Sequence, residues 1–232
     1  MKIALLGYGK MGKVIERIAQ ERGHEIVLRK TGSSSYDGLT DADAAIDFSI
    51  PDAAVENIST CLKNNIPVVS GTTGWLEHYH TMAQLAEETN GAFIYGSNFS
   101  LGVNIFFELN SHLAKMMGNL KQYKVTMEEI HHTQKLDAPS GTAISLAKDI
   151  IAYSDYAGWA IGNPKEDDLF IDVKRIEGVP GTHVVTYDSE IDAIEIKHTA
   201  HNREGFALGA VVAAEWLAGK TGVYSMKNVL GL

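Results

Sequence analysis

A strand, a glycine turn and a helix open the chain, and that succession restricts the fold more than any other stretch. Lys2 to Leu6 is apolar and strand-like, Gly7-Tyr8-Gly9-Lys10-Met11-Gly12 follows, and Val14, Ile15, Ile18 and Ala19 recur at helical spacing. This is G-x-G-x-x-G in the context it requires. Gly7 permits the tight turn, Gly9 lets a pyrophosphate approach the backbone, and Gly12 lets the helix pack on the strand.

The second expected strand, His24 to Leu28, is where an NAD-binding fold usually places Asp or Glu to hold the adenosine ribose. Here the run Arg29-Lys30-Thr31-Gly32-Ser33 follows instead. Two cations without an acid suit a 2′-phosphate, so NADPH is the favoured cofactor and NADH the alternative. A pair of solvated surface cations is the plainer explanation of the same residues. Further strands are expected at Ala44 to Phe48, Ile66 to Ser70 and Ala92 to Tyr95. Helices separate them, one opening at Pro51 and running to about Asn64 and one from Trp75 to Thr89. Such alternation implies right-handed parallel crossovers, with ligands outside the carboxyl ends of the strands. The turns Gly71-Thr72-Thr73-Gly74 and Gly96-Ser97-Asn98-Phe99-Ser100 sit there.

After a long helical pattern from Leu101 to Met117 the character changes. Lys121 to Ile130, Leu169 to Glu177, Thr182 to Asp188 and Ile191 to Ala200 are rich in Val, Ile, Thr and Tyr at period two. A helix from Gly141 to Ile151 packs on one face of that sheet, Asp155 to Asp168 is the loosest segment, and Arg203 to Leu217 is helical again. The tail from Gly222 is expected to dock on the first domain. The fold class is therefore α/β: an N-terminal Rossmann-like parallel sheet, and a second α+β domain on a mixed, mostly antiparallel sheet. Residues 1–100 plus 203–232 form the expected dinucleotide-binding domain, and 101–202 the substrate-binding and oligomerisation domain. The 232 residues give each domain room for its own core.

Composition narrows the partners. A net charge of −9 argues against nucleic acid or an anionic membrane as partner, so an anionic ligand needs a locally basic site. Cys61 is the only cysteine, in an apolar helical pattern, which excludes an intrachain disulfide and a thiolate zinc site. With no signal region and no long apolar run, the expected compartment is cytoplasmic.

The chemistry gathers in Glu128 to Ala143, EEIHHTQKLDAPSGTA. Ser140 is a natural N-cap, and the free N–H groups of the following helix start suit a carboxylate or phosphate. Lys135 and the histidines bring charge and protons nearby; a capped helix after a polar loop is the ordinary alternative. No metal is expected, because the paired histidines lack the i, i+4 spacing and accompanying carboxylate of helical zinc motifs. Adjacent strand residues face opposite ways. Either the strand ends at Ile130, or one of His131 and His132 stands behind the substrate. For His24, His78, His80, His112 and His183 the default is a buried, hydrogen-bonded imidazole.

Taken together, GYGKMGK, GTTGW, SNFSLGVN, HHTQKLDAPSGTA and AEWLAGKTGVYSMKNVL resemble the dihydrodipicolinate reductase (4-hydroxy-tetrahydrodipicolinate reductase) family, in that family's order. The resemblance implies hydride transfer from NADPH or NADH to a small cyclic dicarboxylate. It implies catalytic roles for His131 as proton donor/acceptor and Lys135 as proton donor, and substrate contacts at His132, Gly141 and Thr142. It implies a cofactor lined by Gly7 to Gly12, by Gly71, Thr72 and Thr73, and by Gly96, Ser97, Asn98 and Phe99, and a homotetramer built through the second domain. This chain departs from many members in its shorter first turn, with Lys10 where arginine is usual, and in the cations at the second strand end. Another two-domain dehydrogenase of amino-acid metabolism and a non-catalytic NADPH sensor are the rival readings, and the lysine-histidine cluster counts against the sensor.

Overall fold

The structure, a computed structural model, describes every residue except Ser33 and Arg203. The last residue of the cation-bearing run and the expected first residue of the final long helix thus lie outside the described residues. The chain divides into two compact units, Met1–Asn104 with Glu204–Leu232, and Ile105–Arg203.

The first unit begins with β1 (Lys2–Leu6), α1 (Lys10–Glu21), β2 (Glu25–Lys30), β3 (Ala44–Asp47) and α2 (Pro51–Lys63). β4 (Val68–Ser70), α3 (Tyr79–Glu88) and β5 (Ala92–Tyr95) follow, and α4 (Leu101–Met117) leads out of the unit. The second unit carries β6 (Lys124–His131), α5 (Gly141–Ala152), β7 (Gly158–Ala160), β8 (Asp168–Arg175), β9 (Gly181–Asp188) and β10 (Ala193–Ala200). The chain then returns through α6 (Glu204–Leu217), β11 (Gly222–Tyr224) and α7 (Met226–Leu230).

In the first unit six strands lie in the order β11-β5-β4-β3-β1-β2, all parallel. Both faces are covered, which is why β3 and β4 are buried at every position. α1 and α6 pack on one face with Ile15, Ile18, Ala210 and Val211, and α2 and α3 on the other with Ile58, Leu62 and Met82. Cys61 is among those buried side chains, and burial raises its thiol pKa, as expected of an inert structural cysteine. The strand order reverses between β2-β1 and β3-β4, the switch point at which such sheets bind ligands.

The second unit has five strands in the order β10-β9-β6-β8-β7. The β10–β9 and β9–β6 ladders are antiparallel and long, the β6–β8 and β8–β7 ladders parallel and shorter. Alternation along β6 buries Val125, Met127, Glu129 and His131 on one side. There Val125 and Met127 meet Leu146 and Ile150 of α5 and Leu113 of α4. Among the described residues no helix is long and apolar enough to cross a membrane.

Two local expectations are corrected. The helix expected from Trp75 begins at Tyr79, after a single 3-10 turn at Leu76–His78. Trp75 is instead buried, its indole N–H donating to the Thr72 carbonyl at 2.7 Å, and its backbone, at φ −126° and ψ 8°, lies outside the helical region. The loose Asp155 to Asp168 segment contains β7, an edge strand too short to show a period. The tail docks as expected, as β11 paired with β5.

Candidate active site

Three loops meet at the carboxyl ends of the parallel strands, and Phe48 is their common neighbour. Gly7 adopts φ +99°, and a Cβ there would collide with the Phe48 carbonyl. A Cβ at Gly71 would run into the Phe48 ring, and the Phe48 and Phe99 rings lie 5.9 Å apart. Gly12 fits closely against the Gly7 carbonyl, whereas a Cβ on Gly9 would meet nothing within 4 Å. Gly9 caps α1 with no side-chain hydrogen bond, so the first N–H groups of the helix stay available to an anion. The cradle fits a dinucleotide pyrophosphate.

Beneath these loops lies a polar network that sequence reading missed. Asp47 is fully buried at the end of β3 and accepts from Ser49 Oγ (2.7 Å), Asn57 Nδ2 (2.9 Å) and Ser70 Oγ (2.8 Å). Burial pushes its carboxyl pKa up, and these donors oppose that shift. Ser49 N–H donates to Thr72 Oγ1 at 2.8 Å, so Thr72 faces inward and shapes its loop while Thr73 is exposed. Phe99 is likewise core, and Asn98 Oδ1 accepts from Ser100 N–H at 2.9 Å. A single aspartate inside an apolar strand, with serines at neighbouring strand ends, was the available signal.

The cation pair is split by strand alternation, because β2 extends through Lys30. Arg29 points outward and binds Glu16, with Nε 3.0 Å from Oε1, and Tyr8 donates to the other Glu16 oxygen. That guanidinium holds Glu16 below the usual carboxylate range. Lys30 turns inward, donating to the Gly32 carbonyl at 2.9 Å with its ammonium 4.6 Å from the centre of the Tyr36 ring. Lys10 stands exposed on the first turn of α1, and Met11 packs on the core.

In the second unit the strand runs through His131, not to Ile130, so the two histidines divide. His131 is buried on the α5 side with Glu129, and His132 begins the exposed loop. Glu129 is fully buried; Oε2 accepts from Ser140 N–H at 2.9 Å, and Oε1 faces Arg175 Nη1 and Nη2, both at 3.3 Å. Ser140 Oγ caps α5 by accepting from Ala143 N–H at 3.1 Å, an arrangement that stabilises a helix by ~1 kcal/mol. The hydroxyl also lies 3.1 Å from His183 Nε2. The N–H groups of Gly141 and Thr142 are left without a protein acceptor among the described contacts, beside a Gly141 surface open to solvent. Lys135 Nζ lies 2.8 Å from both oxygens of Asp137, and this exposed ion pair lowers the Asp137 pKa.

His183 was expected to be an ordinary buried histidine and is one, but it also packs against His131 with ring centroids 5.1 Å apart. His24 is partly buried and bonded to Glu215 at 2.6 Å, while His78, His80 and His112 are exposed, correcting the default for those three. Glu129, His131 and His183 offer ligand atoms within 4.8 Å of one another, so a carboxylate does accompany the histidines in space. Both carboxylate oxygens are already committed, and a guanidinium at 3.3 Å repels a cation. His131 Nδ1 and His183 Nδ1 have no hydrogen-bond partner among the described residues.

Burial, and then the neighbouring imidazole, push His183 down to about 3, and burial lowers His131 as well. Both are neutral near pH 7. An unfolded histidine takes its proton near 6.5, so the unfolded state binds more protons below that pH, and stability falls as pH drops from about 6.5 toward 3. Thermal unfolding should show that loss, and His183→Gln should flatten it; a flat profile in the unsubstituted protein would remove the buried neutral imidazoles.

A glycine cradle at the switch point of a parallel sheet, together with a second unit bearing a lysine and free helix-start donors, defines a two-unit dinucleotide-dependent oxidoreductase. The family pattern described as dihydrodipicolinate reductase, N-terminus, matches residues 1–99, and that described as dihydrodipicolinate reductase, C-terminus, matches residues 102–230. A curated 4-hydroxy-tetrahydrodipicolinate reductase from Christiangramia forsetii is 57% identical over 99% of this chain and 98% of its own length. One from Thermosipho africanus is 35% identical over the same shares of the two chains. The solved dihydrodipicolinate reductase from Paenisporosarcina sp. TG-14, with dipicolinate bound, has the same fold (TM-score 0.82, 24% identity, 97% of each chain). The chain belongs to the dihydrodipicolinate reductase family.

Proposed function

We propose that Met1–Asn104 with Glu204–Leu232 holds the dinucleotide, and that the loop from His131 to Thr142 binds and protonates the substrate. The chain is an NAD(P)H-dependent 4-hydroxy-tetrahydrodipicolinate reductase, forming (S)-2,3,4,5-tetrahydrodipicolinate with loss of water. The carrying observation is that one short loop presents both the Lys135 ammonium and the unpartnered Gly141 and Thr142 N–H groups.

The reduced nicotinamide supplies the hydride when bound. Gly7, Gly9 and Gly12 shape the turn that receives the pyrophosphate; Lys10 adds charge at the rim, and Tyr8 and Met11 flank it. Gly71 and Thr73, on the loop held by Thr72, and Gly96, Ser97 and Asn98, on the loop anchored by Phe99, border the rest of the cofactor.

One substrate carboxylate binds the Gly141 and Thr142 N–H groups at the positive end of α5. His132 and Lys135 contact the remainder of the dianion. Lys135 leaves Asp137 at little cost, since an exposed ion pair contributes only ~0–1 kcal/mol, and gives its proton to the substrate after hydride addition. His131, neutral in its buried setting, exchanges a proton with the reacting system from behind this loop. A coupled assay with aspartate semialdehyde, pyruvate and the preceding synthase, read as NADPH loss, tests the whole. Turnover of another amino acid or aldehyde with none in this assay would overturn it.

Pyridine-2,6-dicarboxylate should inhibit competitively with substrate, one carboxylate seated on the Gly141 and Thr142 N–H groups. A crystal soak that places it only elsewhere would remove that assignment.

NADPH should bind more tightly than NADH, since no acid stands at the end of β2 and the Arg29 guanidinium is exposed there. Glu16 already occupies Arg29, and Lys30 is tied inward, so the preference rests on Arg29 alone and should be roughly tenfold, about 1.4 kcal/mol. Arg29→Ala should erase it in cofactor titrations; equal binding of both cofactors by the unsubstituted protein would end the phosphate reading.

The enzyme is proposed to be a cytoplasmic homotetramer. Among the described residues no helix packs on the face of the five-stranded sheet bearing Glu128, Asp172, Thr186 and Glu195, which suits assembly through that sheet. Light scattering on the purified chain decides the copy number.

A further inference from the structure

Of the loop carrying Lys135, residues 132–139, only Pro139 is buried. Leu136 is 97% exposed, and Thr133, Gln134, Asp137 and Ala138 are exposed as well. Its fixed points are polar, and most of them converge on one side chain. Arg175 Nε donates to the Lys135 carbonyl at 3.3 Å, and Arg175 Nη2 donates to the Asp137 carbonyl at 2.7 Å. The same guanidinium rests on Glu129, whose other oxygen takes the Ser140 N–H at the start of α5. Arg175 comes from the last position of β8, in register with His131 on β6, and Ile176 N–H donates to the His131 carbonyl at 2.8 Å.

Resting on the substrate reading above, we propose that Arg175 and Glu129 are the positioning pair of the reaction, joining the proton donor to the carboxylate-binding helix start. Arg175 grips the backbone on both sides of Leu136, and Glu129 ties that grip to Ser140. The distance from Lys135 to the Gly141 and Thr142 donors is thereby set without either residue of the pair touching substrate. A planar fork is required, because one group must meet two carbonyls and a carboxylate at fixed angles; a lysine ammonium cannot do so. Full burial of Glu129 makes the pairing obligatory, since an unpaired buried carboxylate is costly.

Arg175→Ala should lower kcat/KM by roughly 100-fold, the scale of a misplacement of about 1 Å, mainly through kcat. NADPH affinity should be unchanged, and inhibition by dipicolinate should weaken. Methylguanidine should restore part of the activity, which it would not do if Arg175 merely stabilised the fold. Arg175→Lys should recover little, and Glu129→Gln, which keeps an acceptor for Ser140 but loses the charge, should fall between. Should Arg175→Ala fail to fold, Arg175→Lys carries the same measurements. Hydrogen exchange gives a readout independent of turnover: amides at 133–138 should exchange roughly tenfold faster or more in Arg175→Ala while the centre of β6 stays protected. Unchanged exchange, or normal kcat/KM in the folded variant, would overturn the positioning role. A wild-type protein inactive in the coupled assay yet showing the exchange change would refute the substrate reading and leave the anchoring in place.

Discussion

Lys135→Ala should lower kcat by roughly 10²–10⁴-fold, the range seen when a positioned acid is lost, with some rise in KM from the missing charge. Thermal stability should barely move, because among the described residues the ion pair removed is the exposed one with Asp137. Cofactor affinity should also hold, since Lys135 lies outside the unit that carries the glycine turn. His131→Ala should cost a similar or smaller factor and alter the pH profile. Burial holds that imidazole neutral, so any acid limb it controls falls below the ordinary histidine range. Steady-state kinetics with paired cofactor titrations check both variants. If folded Lys135→Ala binds NADPH and keeps near-normal kcat/KM, the loop is a helix cap with surface charge and the proton donor lies elsewhere.

The parts legible in the sequence are those fixed by local rules. β1, the glycine turn and α1 could be read from residue spacing because a tight turn and a close helix both require missing side chains, at Gly7 and Gly12. The buried parallel strands and the Ser140 cap were readable for the same reason: each depends on a few consecutive residues. What stayed hidden depends on distant pairs. Nothing near Asp47 announces that Ser70 and Asn57 will supply its donors, and nothing near Arg175 announces that it will meet carbonyls about forty residues earlier. Arg29 and Lys30 show the reverse failure. Read as neighbours they form a phosphate clamp, but strand alternation sends one outward to Glu16 and the other inward to Tyr36. The choice between His131 and His132 turned on where β6 ends, which its ladder to Arg175 decides and its own sequence does not.

Gly7 and Gly9 should respond differently to the same added methyl group, and the contrast isolates fold from ligand. Gly7→Ala forces a left-handed backbone, φ +99°, on a residue with a Cβ, at a cost of ~1–2 kcal/mol, and drives that Cβ into the Phe48 carbonyl. The carbonyl belongs to the strand end that also carries Asp47 and abuts Gly71, so it cannot swing aside without moving the neighbouring loops. The expected outcome is a loss of roughly 3 kcal/mol or more in stability, with no measurable cofactor binding. Gly9→Ala meets no protein atom within 4 Å and should leave the melting temperature almost unchanged. Its methyl group instead occupies the approach of the pyrophosphate to the first turn of α1, and the dinucleotide Kd should rise by roughly 10- to 100-fold, about 1.4–2.8 kcal/mol. Calorimetric melts and cofactor titrations on the two variants separate these effects. Wild-type affinity in Gly9→Ala would mean that the pyrophosphate does not lie against this turn, whatever happens at Gly7.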